Sequence, residues 1–325
     1  MGNWFDTFKH NPLPPLLNSS NEAIRFFARK DLLGEDAGSI ETLWELSPAK
    51  KILRKQQENG SWRYPKKEKA FRRENYFLFE TYKQLGLLVF MYGFNKKHEA
   101  IQAAAEYIFS CQTDEGDIRG IYGNQYMPNY SSAIMELLIM VGYENDTRVE
   151  KHFRWILSLR QNDGAWAWAL YTRNVDYMDA LDMQPLKPDP VKPFSHVLTG
   201  VILRPFALHS KYRNSPEAQT AGCLLLSRLF KADKYGSRKS PDYWTKFTYP
   251  FWYNDLLNAL NTFSLLGFKK DIPQIKKGLD WFTSRQQATG LWKFYVLMGG
   301  KHKDLNAWIG LATCKVFKRF YEQKE

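Results

Sequence analysis

The chain has 325 residues, of which 44% are hydrophobic and 25% charged, an ordinary globular composition that excludes a wholly disordered protein. No stretch approaches the roughly 18 to 20 apolar residues that a membrane-spanning helix needs, so we expect no transmembrane segment. Aromatic residues make up 16% of the chain, including 11 Trp, 18 Tyr and 22 Phe. Because a core of this size needs fewer, either a repeated structural device uses them or they line a cavity.

The formal net charge of +12 favours polyanionic partners such as nucleic acid, anionic lipid head groups or diphosphates. Lys and Arg are spread along the chain, and no motif that binds a nucleic-acid groove is recognisable, so a nucleic-acid partner is not expected. Peripheral contact with a membrane surface stays open. The three cysteines form no CxxC pair. We interpret them as buried, reduced thiols of a cytoplasmic protein without a secretory signal.

A short motif recurs along the chain: Gln, a polar link, Gly, one residue and then a large apolar residue. Each copy follows an amphipathic helical pattern, in which apolar residues recur at spacings of three and four. Glycine after the last turn predicts the end of that helix. The copies are Gln57 to Trp62, Gln112 to Ile118, Gln161 to Trp166 and Gln287 to Trp292, with a degraded fifth copy around Gly236.

A second class of helix is apolar nearly all round, which is typical of helices buried on both sides. A ring of about six such inner helices, wrapped by about five amphipathic outer ones, satisfies both classes. The sequence therefore predicts an all-α fold, an α/α toroid that forms a single domain over residues 1–325. In the alternative, an open superhelical array, the apolar helices would be exposed. In chain order, the predicted inner helices are Glu22 to Leu33, Glu80 to Tyr92, Ser131 to Tyr143, His196 to His209, Asp255 to Phe268 and Asn306 to Phe320.

The Gln to Gly-x-Trp signature resembles the repeats of the terpenoid cyclase and protein prenyltransferase toroid superfamily, which includes squalene and hopene cyclases. The resemblance covers roughly residues 46–320. It implies that the motif is a brace, in which the Trp ring packs on the Gln side chain and ties an outer helix to the next inner one. Trp62, Trp166 and Trp292 are therefore expected to be structural.

Two chemical signatures of that superfamily are missing from this chain. There is no Asp-x-Asp-Asp acid motif like that of the cyclases, and no Asp-x-Cys pair with a later His like that of the zinc-dependent protein prenyltransferases. We therefore expect no metal site and no zinc-thiolate mechanism. Whether the protein is an enzyme stays open.

In such a toroid the N-termini of the inner helices surround one mouth of the central cavity, where their free N–H groups favour an anionic ligand. His196 and Asp255 begin two of these helices and are candidate catalytic residues, although each also suits a structural position at a helix start. Arg204, inside an apolar helix, and Lys246, before the next one, are candidate ligands for a diphosphate or carboxylate. The alternative for Arg204 is an internal pair with Asp255.

The longest connection, residues 167–194, is expected to form an Asp- and Pro-rich loop over the barrel mouth. Residues 1–20 are expected to form an N-terminal arm. The acids of the connection, Asp176, Asp179 and Asp182, are candidate catalytic groups, and a solvated surface turn is the alternative explanation. The remaining candidates for ligand binding lie near the same mouth: Trp168, Tyr171, Arg173, Trp244, Tyr249, Trp252, Tyr253 and Trp308.

Three functions fit these features. The first is a prenyltransferase-like or terpenoid-cyclase-like protein that binds a small hydrophobic, anionic ligand of the isoprenoid diphosphate type in an aromatic-lined cavity. No cofactor is expected, except Mg²⁺ if the ligand is a diphosphate. The second is a carbohydrate-active hydrolase or lyase on an acidic polysaccharide, because α/α barrels with Trp-lined clefts and paired acids also cleave glycosidic bonds. The third is a non-catalytic binding scaffold, since the cyclase and zinc motifs are missing.

Overall fold

The computed structural model of the chain describes residues 3–65, 75–181, 183–250, 253–298 and 303–322. These residues are mostly helical, and their two short strands pair in parallel. The elements are α1 (Leu13–Leu17), α2 (Glu22–Phe27), α3 (Ser47–Leu53), α4 (Tyr76–Tyr92), α5 (Glu99–Ser110), α6 (Pro128–Leu138), α7 (Thr147–Leu157), α8 (Ala169–Arg173), α9 (Tyr177–Ala180), α10 (His196–Leu208), α11 (Pro216–Leu226), β1 (Lys246–Thr248), α12 (Leu256–Leu265), α13 (Pro273–Ser284), β2 (Tyr295–Met298) and α14 (Leu305–Glu322).

Six helices form a closed inner ring. In order around the ring they are α2, α4, α6, α10, α12 and α14, each in contact with the next, and α14 contacts α2 to complete the circle. Five amphipathic helices, α3, α5, α7, α11 and α13, pack on the outside of this ring. The prediction of an all-α toroid with about six inner and five outer helices is therefore confirmed.

The inner helices lie close to their predicted positions because local sequence signals set their ends. α4 begins before the predicted residue, since the Asn75 side chain accepts the backbone N–H of Leu78 at 2.9 Å and caps the helix. It ends at Gly93, whose φ of 62° is the left-handed conformation that terminates helices. π-Helical turns, Ala28–Leu33 and Ile139–Tyr143, continue α2 and α6 to their predicted ends. No described helix is both long and apolar enough to cross a bilayer.

The repeated motif joins neighbouring outer helices around the ring. Gln112, which follows α5, donates one side-chain hydrogen bond to the carbonyl of Gly116 at 2.9 Å and another to the carbonyl of Arg148 at 2.8 Å. Arg148 lies in the first turn of α7, where the motif meets the next outer helix. A Cβ on Gly116 would lie 2.4 Å from the carbonyl oxygen of Lys151, so only glycine allows this approach.

The bracing residue stands four positions before the glycine, which corrects the assignment in three copies. Gln56 rather than Gln57 donates to Gly60 and Ala100, at 2.9 and 2.7 Å. Gln286 rather than Gln287 makes the corresponding bonds in the last copy. In the third copy Arg160 rather than Gln161 donates to Gly164, at 3.0 and 2.8 Å. In the first and last copies two glutamines are adjacent, and the sequence analysis assigned the brace to the second one instead of the first.

The motif tryptophans are buried and tie the motif to two helices. The indole N–H of Trp166 donates to the carbonyl of Ile156 in α7 at 2.8 Å, and its backbone N–H donates to the hydroxyl of Thr199 in α10 at 3.2 Å. The indoles of the other two make the same bond, from Trp62 to Ile52 at 2.9 Å and from Trp292 to Phe282 at 2.8 Å. Each motif thus fastens its own outer helix, and Trp62 and Trp166 also fasten the following inner helix.

The N-terminal arm completes the outer layer at the position where a sixth outer helix would stand. Gln286, after α13, donates to the carbonyl of His10 at 2.7 Å and accepts the His10 backbone N–H at 3.0 Å. Gly290 packs against the carbonyl of Asn11, which a Cβ would approach to 2.5 Å. The Phe8 ring lies 5.4 Å from the ring of Trp292. The last brace therefore engages the start of the described chain.

The cysteines differ from the expectation of three buried thiols. All three are free; Cys314 is buried and Cys111 is partly buried. Cys223 is exposed, because it lies on the solvent side of α11, between the buried residues of that helix.

Because the brace uses Gln286 and not Gln287, alanine substitutions at these two adjacent positions are expected to change the free energy of unfolding by different amounts. Gln286→Ala removes hydrogen bonds to His10 and Gly290, so we expect the free energy of unfolding to fall by about 2 kcal/mol. Gln287→Ala changes an exposed side chain and is expected to cost less than about 0.5 kcal/mol. Urea denaturation followed by circular dichroism measures both. Equal losses for the two variants would show that the brace is assigned to the wrong residue.

Candidate functional site

A cavity of about 430 Å³ lies inside the ring, toward the C-terminal ends of the inner helices. All six inner helices contribute to its wall, through residues in their C-terminal halves or just beyond. The wall is mainly apolar and aromatic, and Met140 at the mouth is 38% exposed, so the cavity opens to solvent at this end. Wall residues include Phe90, Phe94, Met140, Leu208, Leu265 and Leu311.

The inner end of the cavity, which we call the floor, is polar. Arg204 of α10 donates its Nε–H to the Glu136 carboxylate of α6 at 2.7 Å, and both side chains are almost fully buried. The expected alternative partner Asp255 is therefore wrong, because Glu136 takes that place. Tyr82 also hydrogen-bonds Arg204, and burial raises the pKa of Tyr82 to about 12. Thr262 of α12 completes the polar part of the floor.

The mouth of the cavity carries basic side chains. Lys30, Lys315 and Arg319 line it, and Lys315 forms an ion pair with Asp31. Arg319 hydrogen-bonds the Asn261 side chain at 3.0 Å, and among the described residues no carboxylate lies within 4 Å of it. Burial lowers the pKa of Arg319 below its ordinary value. The mouth therefore holds a partly buried guanidinium that forms no ion pair within 4 Å among the described residues, although the charge of Asp31 acts on it from farther away.

Two predicted ligand-binding aromatics lie beside this cavity. Tyr249 lines the cavity, and its ring stacks on that of Trp308 with the centroids 6.1 Å apart. Both side chains are buried, and burial raises the pKa of the Tyr249 hydroxyl. Tyr249 also lies 6.3 Å from the ring of Phe90. Of the predicted residues, Arg204 and Tyr249 thus reach the cavity, and Trp308 supports Tyr249 from behind.

The other predicted residues near the inner-helix N-termini line a separate small recess. His196, Trp244, Lys246 and Tyr253 meet there, with Arg238 among the other lining residues. The recess holds about 10 Å³, roughly the space of one water molecule. Its side chains pack against one another in two cation–π contacts. The Arg238 guanidinium lies 3.5 Å from the Tyr253 ring centroid, and the Lys246 ammonium lies 4.6 Å from the Tyr243 ring centroid.

His196 begins α10 in a closely packed environment. Its Nδ1 lies 3.0 Å from the Asp233 carboxylate, and its ring stacks on Trp244 at 4.7 Å. Burial lowers the pKa of His196, which keeps the ring neutral near pH 7. The same Asp233 oxygen accepts hydrogen bonds from the Ser195 hydroxyl at 2.9 Å and the Val197 backbone N–H at 3.1 Å. His196 therefore belongs to a buried polar cluster at the start of α10.

Asp255 caps α12. Its carboxylate accepts the backbone N–H groups of Asn258 at 2.8 Å and Thr248 at 3.3 Å. Burial raises its pKa from the ordinary 3.8 to about 7, although these hydrogen bonds favour the charged form and lower it. Asp233 and Asp255 thus bind N–H groups at the helix starts that the sequence analysis assigned to an anionic ligand.

The described residues of the connection at 167–194 include the short helices α8 and α9, and many of them are exposed. Asp176 caps α9 by accepting the Met178 N–H at 2.8 Å, and both Asp176 and Asp179 are exposed. Arg173 donates to the carbonyl of Lys187 at 2.7 Å. None of the described residues of this segment lines the cavity.

The two aromatic candidates of this segment differ in burial, since Trp168 is half-buried against the core and Tyr171 is exposed. Tyr171 is 50% exposed, and its ring lies 5.7 Å from that of Trp168 and 6.2 Å from that of Tyr235. Two further candidates, Asp182 and Trp252, lie outside the described residues. Among the described residues, no group of three or more His, Cys, Asp and Glu side chains is placed to hold a metal ion.

The sequence analysis missed Glu136, Thr262 and Arg319. Glu136 had a readable signal, since it is the one acid in the apolar run 133–141, as Arg204 is the one Arg or Lys in its own helix. A lone acid and a lone base in two inner helices predict a pair, because an isolated buried charge is costly. Arg319 and Thr262 had no comparable signal, since which side of a fully packed helix meets a cavity depends on the ring geometry.

No family model matches the sequence, and no curated protein matches it. Among solved structures, similar ones include a ligand-free variant of the type II terpene cyclase MstE from Scytonema, at 14% identity over 95% of this chain and 97% of that chain, with a TM-score of 0.44. A polysaccharide lyase is 13% identical over 88% of each chain, with a TM-score of 0.43. A protein from Actinoplanes is 14% identical over 87% of each chain, with a TM-score of 0.41.

The buried pair at the floor predicts strongly non-additive stability. Glu136→Met leaves Arg204 buried without its carboxylate, so we expect a loss of about 3 to 5 kcal/mol in the free energy of unfolding. The double variant Glu136→Met, Arg204→Met removes both charges and is expected to be more stable than the Glu136→Met protein. Guanidinium denaturation of the wild type, Glu136→Met, Arg204→Met and the double variant gives the coupling energy between the two side chains. Losses that simply add would contradict a mutually dependent pair.

The raised pKa of Asp255 predicts a pH dependence with a definite sign. The folded state binds a proton on this carboxyl up to about pH 7, whereas in the unfolded chain the proton leaves near pH 4. The stability from this proton is therefore full below about pH 4 and is lost as the pH rises through about 7.

Asp255→Asn keeps a capping acceptor but does not titrate. Relative to this variant, the wild type is expected to lose a few kcal/mol of unfolding free energy between pH 4 and 8, at about 1.4 kcal/mol per pKa unit. Urea denaturation across this pH range measures the difference. A difference that stays constant with pH would contradict the raised pKa.

Proposed function

We propose that the protein binds a small ligand with an apolar chain and an acidic head group, the class to which isoprenoid diphosphates belong, in the cavity at the C-terminal end of the inner ring. The observation that carries the proposal is the pairing of an apolar, aromatic wall with Arg319, a partly buried cation that forms no ion pair within 4 Å among the described residues. The apolar wall matches the chain of such a ligand, and Arg319 at the mouth matches its acidic head group.

The wall suits the apolar chain. The volume of about 430 Å³ falls in the range of about 300 to 1,000 Å³ that is typical of small-molecule sites. Leu311 and Arg319 both line the cavity and lie eight residues apart on α14, which corresponds to a depth of roughly 12 Å at 1.5 Å per residue. Burying a chain there removes apolar surface from water at about 25 cal/mol per Å².

The mouth suits the acidic head. Arg319 offers a planar fork of donors that matches a phosphate or carboxylate, and Lys30 and Lys315 lie beside it. A groove lined by Lys315, Lys318 and Arg319, with the acids Asp31 and Glu322, continues outward from this mouth. Because low-dielectric surroundings strengthen charge-assisted hydrogen bonds, an anion at this position gains more from Arg319 than it would from an exposed arginine.

The proposal concerns binding. A carbohydrate-active site would need paired acids that face a common space, and in the described part of the chain Asp176 and Asp179 are exposed surface residues. The apolar character of the cavity also favours a lipid-like chain over a sugar. Mg²⁺ enters this proposal only as a companion of a diphosphate head group, and the protein residues at the mouth are mainly basic.

Arg319→Gln tests the role of the acidic head. We expect the Kd for geranyl diphosphate to rise about 10- to 100-fold, because charge-assisted hydrogen bonds contribute about 1.5 to 3 kcal/mol. The Kd for geraniol, which has the same chain and no charge, is expected to stay unchanged. Isothermal titration calorimetry of both ligands measures the two effects.

The matched control is Arg285→Gln, which removes an exposed arginine after α13 and is expected to leave both affinities unchanged. Ala312→Phe places a large side chain in the cavity wall and is expected to weaken both ligands. If geranyl diphosphate binds equally well to wild type, Arg319→Gln and Ala312→Phe proteins, the ligand does not occupy this cavity.

A further inference from the structure

Asp31, at the mouth of the cavity, engages three cations of α14. It lies in the π-helical turn Ala28–Leu33 that continues α2. Its carboxylate forms an ion pair with Lys315, and its backbone carbonyl accepts a hydrogen bond from the Lys318 ammonium at 3.0 Å. Its charge also acts on Arg319, whose pKa it raises against the effect of burial. Lys318 and Arg319 stand three and four residues after Lys315, so the three cations share one face of α14.

The orientation of Arg319 leaves one edge of its guanidinium for a ligand. Nη1 donates to the Asn261 side chain at 3.0 Å and to the Ser264 hydroxyl, both on α12. Nε and Nη2 form no hydrogen bond within the part of the chain that the structure describes. Their N–H groups present a fork that matches the two oxygens of a carboxylate. Arg319 therefore suits one bidentate acidic group.

Beyond Arg319 the mouth continues into a groove whose lysine charges are compensated. Lys315, Lys318 and Arg319 line this groove together with Asp31 and Glu322. Lys315 is paired with Asp31, and the Lys318 ammonium lies 3.8 Å from the Glu322 carboxylate. An anion in the groove would therefore compete with acids of the chain for both lysines.

This arrangement distinguishes head groups by their charge and length. A carboxylate is short enough to end at Arg319, and it carries the single charge that this guanidinium compensates. The second phosphate of a diphosphate would extend into the groove, where the like charge of Asp31 repels it. Lys30 also lines the cavity, but it is exposed, so solvent screens its charge.

We propose that Asp31 determines the specificity of the site by restricting the head group to a single negative charge, as in a carboxylate. This inference rests on the proposed function and adds to it the chemical class of the head: a carboxylic acid on an apolar chain in preference to a diphosphate. Arg319 binds the carboxylate, and Asp31 weakens the binding of a head group that carries further charge.

The experiment compares geranate, geranyl diphosphate and geraniol by isothermal titration calorimetry of the full chain, without divalent cations. The wild type is expected to bind geranate about tenfold more tightly than geranyl diphosphate. Asp31→Asn keeps the shape of the side chain and removes its charge. Repulsion scales with the ligand charge, which is about one for geranate and about three for geranyl diphosphate. We therefore expect Asp31→Asn to lower the Kd about twofold for geranate and about eightfold for geranyl diphosphate, and to leave the Kd for geraniol unchanged.

Two further variants separate the charge of Asp31 from other effects of substitution. Asp31→Glu keeps the charge and is expected to keep the preference for geranate near tenfold. Asp36→Asn is the matched control, because Asp36 is an exposed acid that lies outside the groove and accepts the backbone N–H of Gly38 at 2.9 Å. It is expected to leave the affinities for all three ligands unchanged. Thermal unfolding followed by circular dichroism shows whether each variant is folded.

Failure of this inference differs from failure of the proposed function. If Asp31→Asn lowers the Kd of geranate and of geranyl diphosphate by the same factor, or leaves both unchanged, Asp31 does not select the head group and this inference is overturned. Wild-type protein that binds geranyl diphosphate at least as tightly as geranate would also overturn it. The proposed function stands in these cases if Arg319→Gln weakens the binding of geranate. If Arg319→Gln and Ala312→Phe leave the affinities for both acidic ligands unchanged, the proposed function itself fails.

Discussion

The outer layer depends on hydrogen bonds that link α3 to α5, α5 to α7 and α13 to the N-terminal arm. A glutamine side chain can satisfy the carbonyl of its own motif glycine and a carbonyl of the next segment at once, as Gln56, Gln112 and Gln286 do. One bond closes the loop of the glutamine's own motif, and the other reaches the first turn of the next outer helix for Gln56 and Gln112 and the N-terminal arm for Gln286. Glycine is required beside it because the neighbouring backbone approaches too closely for a side chain. The spacing of the outer helices, and with it the width of the inner ring, follows from this contact.

The two ends of the ring differ in how their helix termini are satisfied. At the N-terminal end, Asp233 and Asp255 supply hydrogen-bond acceptors from within the chain, so N–H groups at the starts of α10 and α12 are already paired. At the C-terminal end, the cavity leaves space between the helices, and basic side chains such as Lys315 lie where the helix dipoles favour cations. The dipole argument applied to the sequence allowed a structural role for Asp255 at its own helix start but did not include Asp233, which lies 36 positions after the N–H group that it binds.

The sequence predicted the fold well because its signals are local and repeated. Apolar periodicity, glycine at helix ends and the recurring motif each act over a few residues, and the ring follows from their repetition. The site was harder to predict, because it depends on which residues of six helices meet. Arg204 was recognised as a base that needs a partner, but choosing Glu136 over Asp255 requires the angular positions of α6, α10 and α12. His196 was singled out by its position, and only the packing of Asp233 and Trp244 around it shows how closely it is held.

Closure by the N-terminal arm also bears on how the protein folds. Gln286 and His10 are 276 positions apart, so their contact closes a loop that spans most of the chain. Bringing such distant segments together carries a large entropy cost, and folds dominated by contacts of this kind form slowly. Since α14 supplies one wall of the cavity and packs against the residues of the arm, the cavity depends in part on this long-range contact. A ligand that fills the cavity would then stabilise the closed ring over its open precursors.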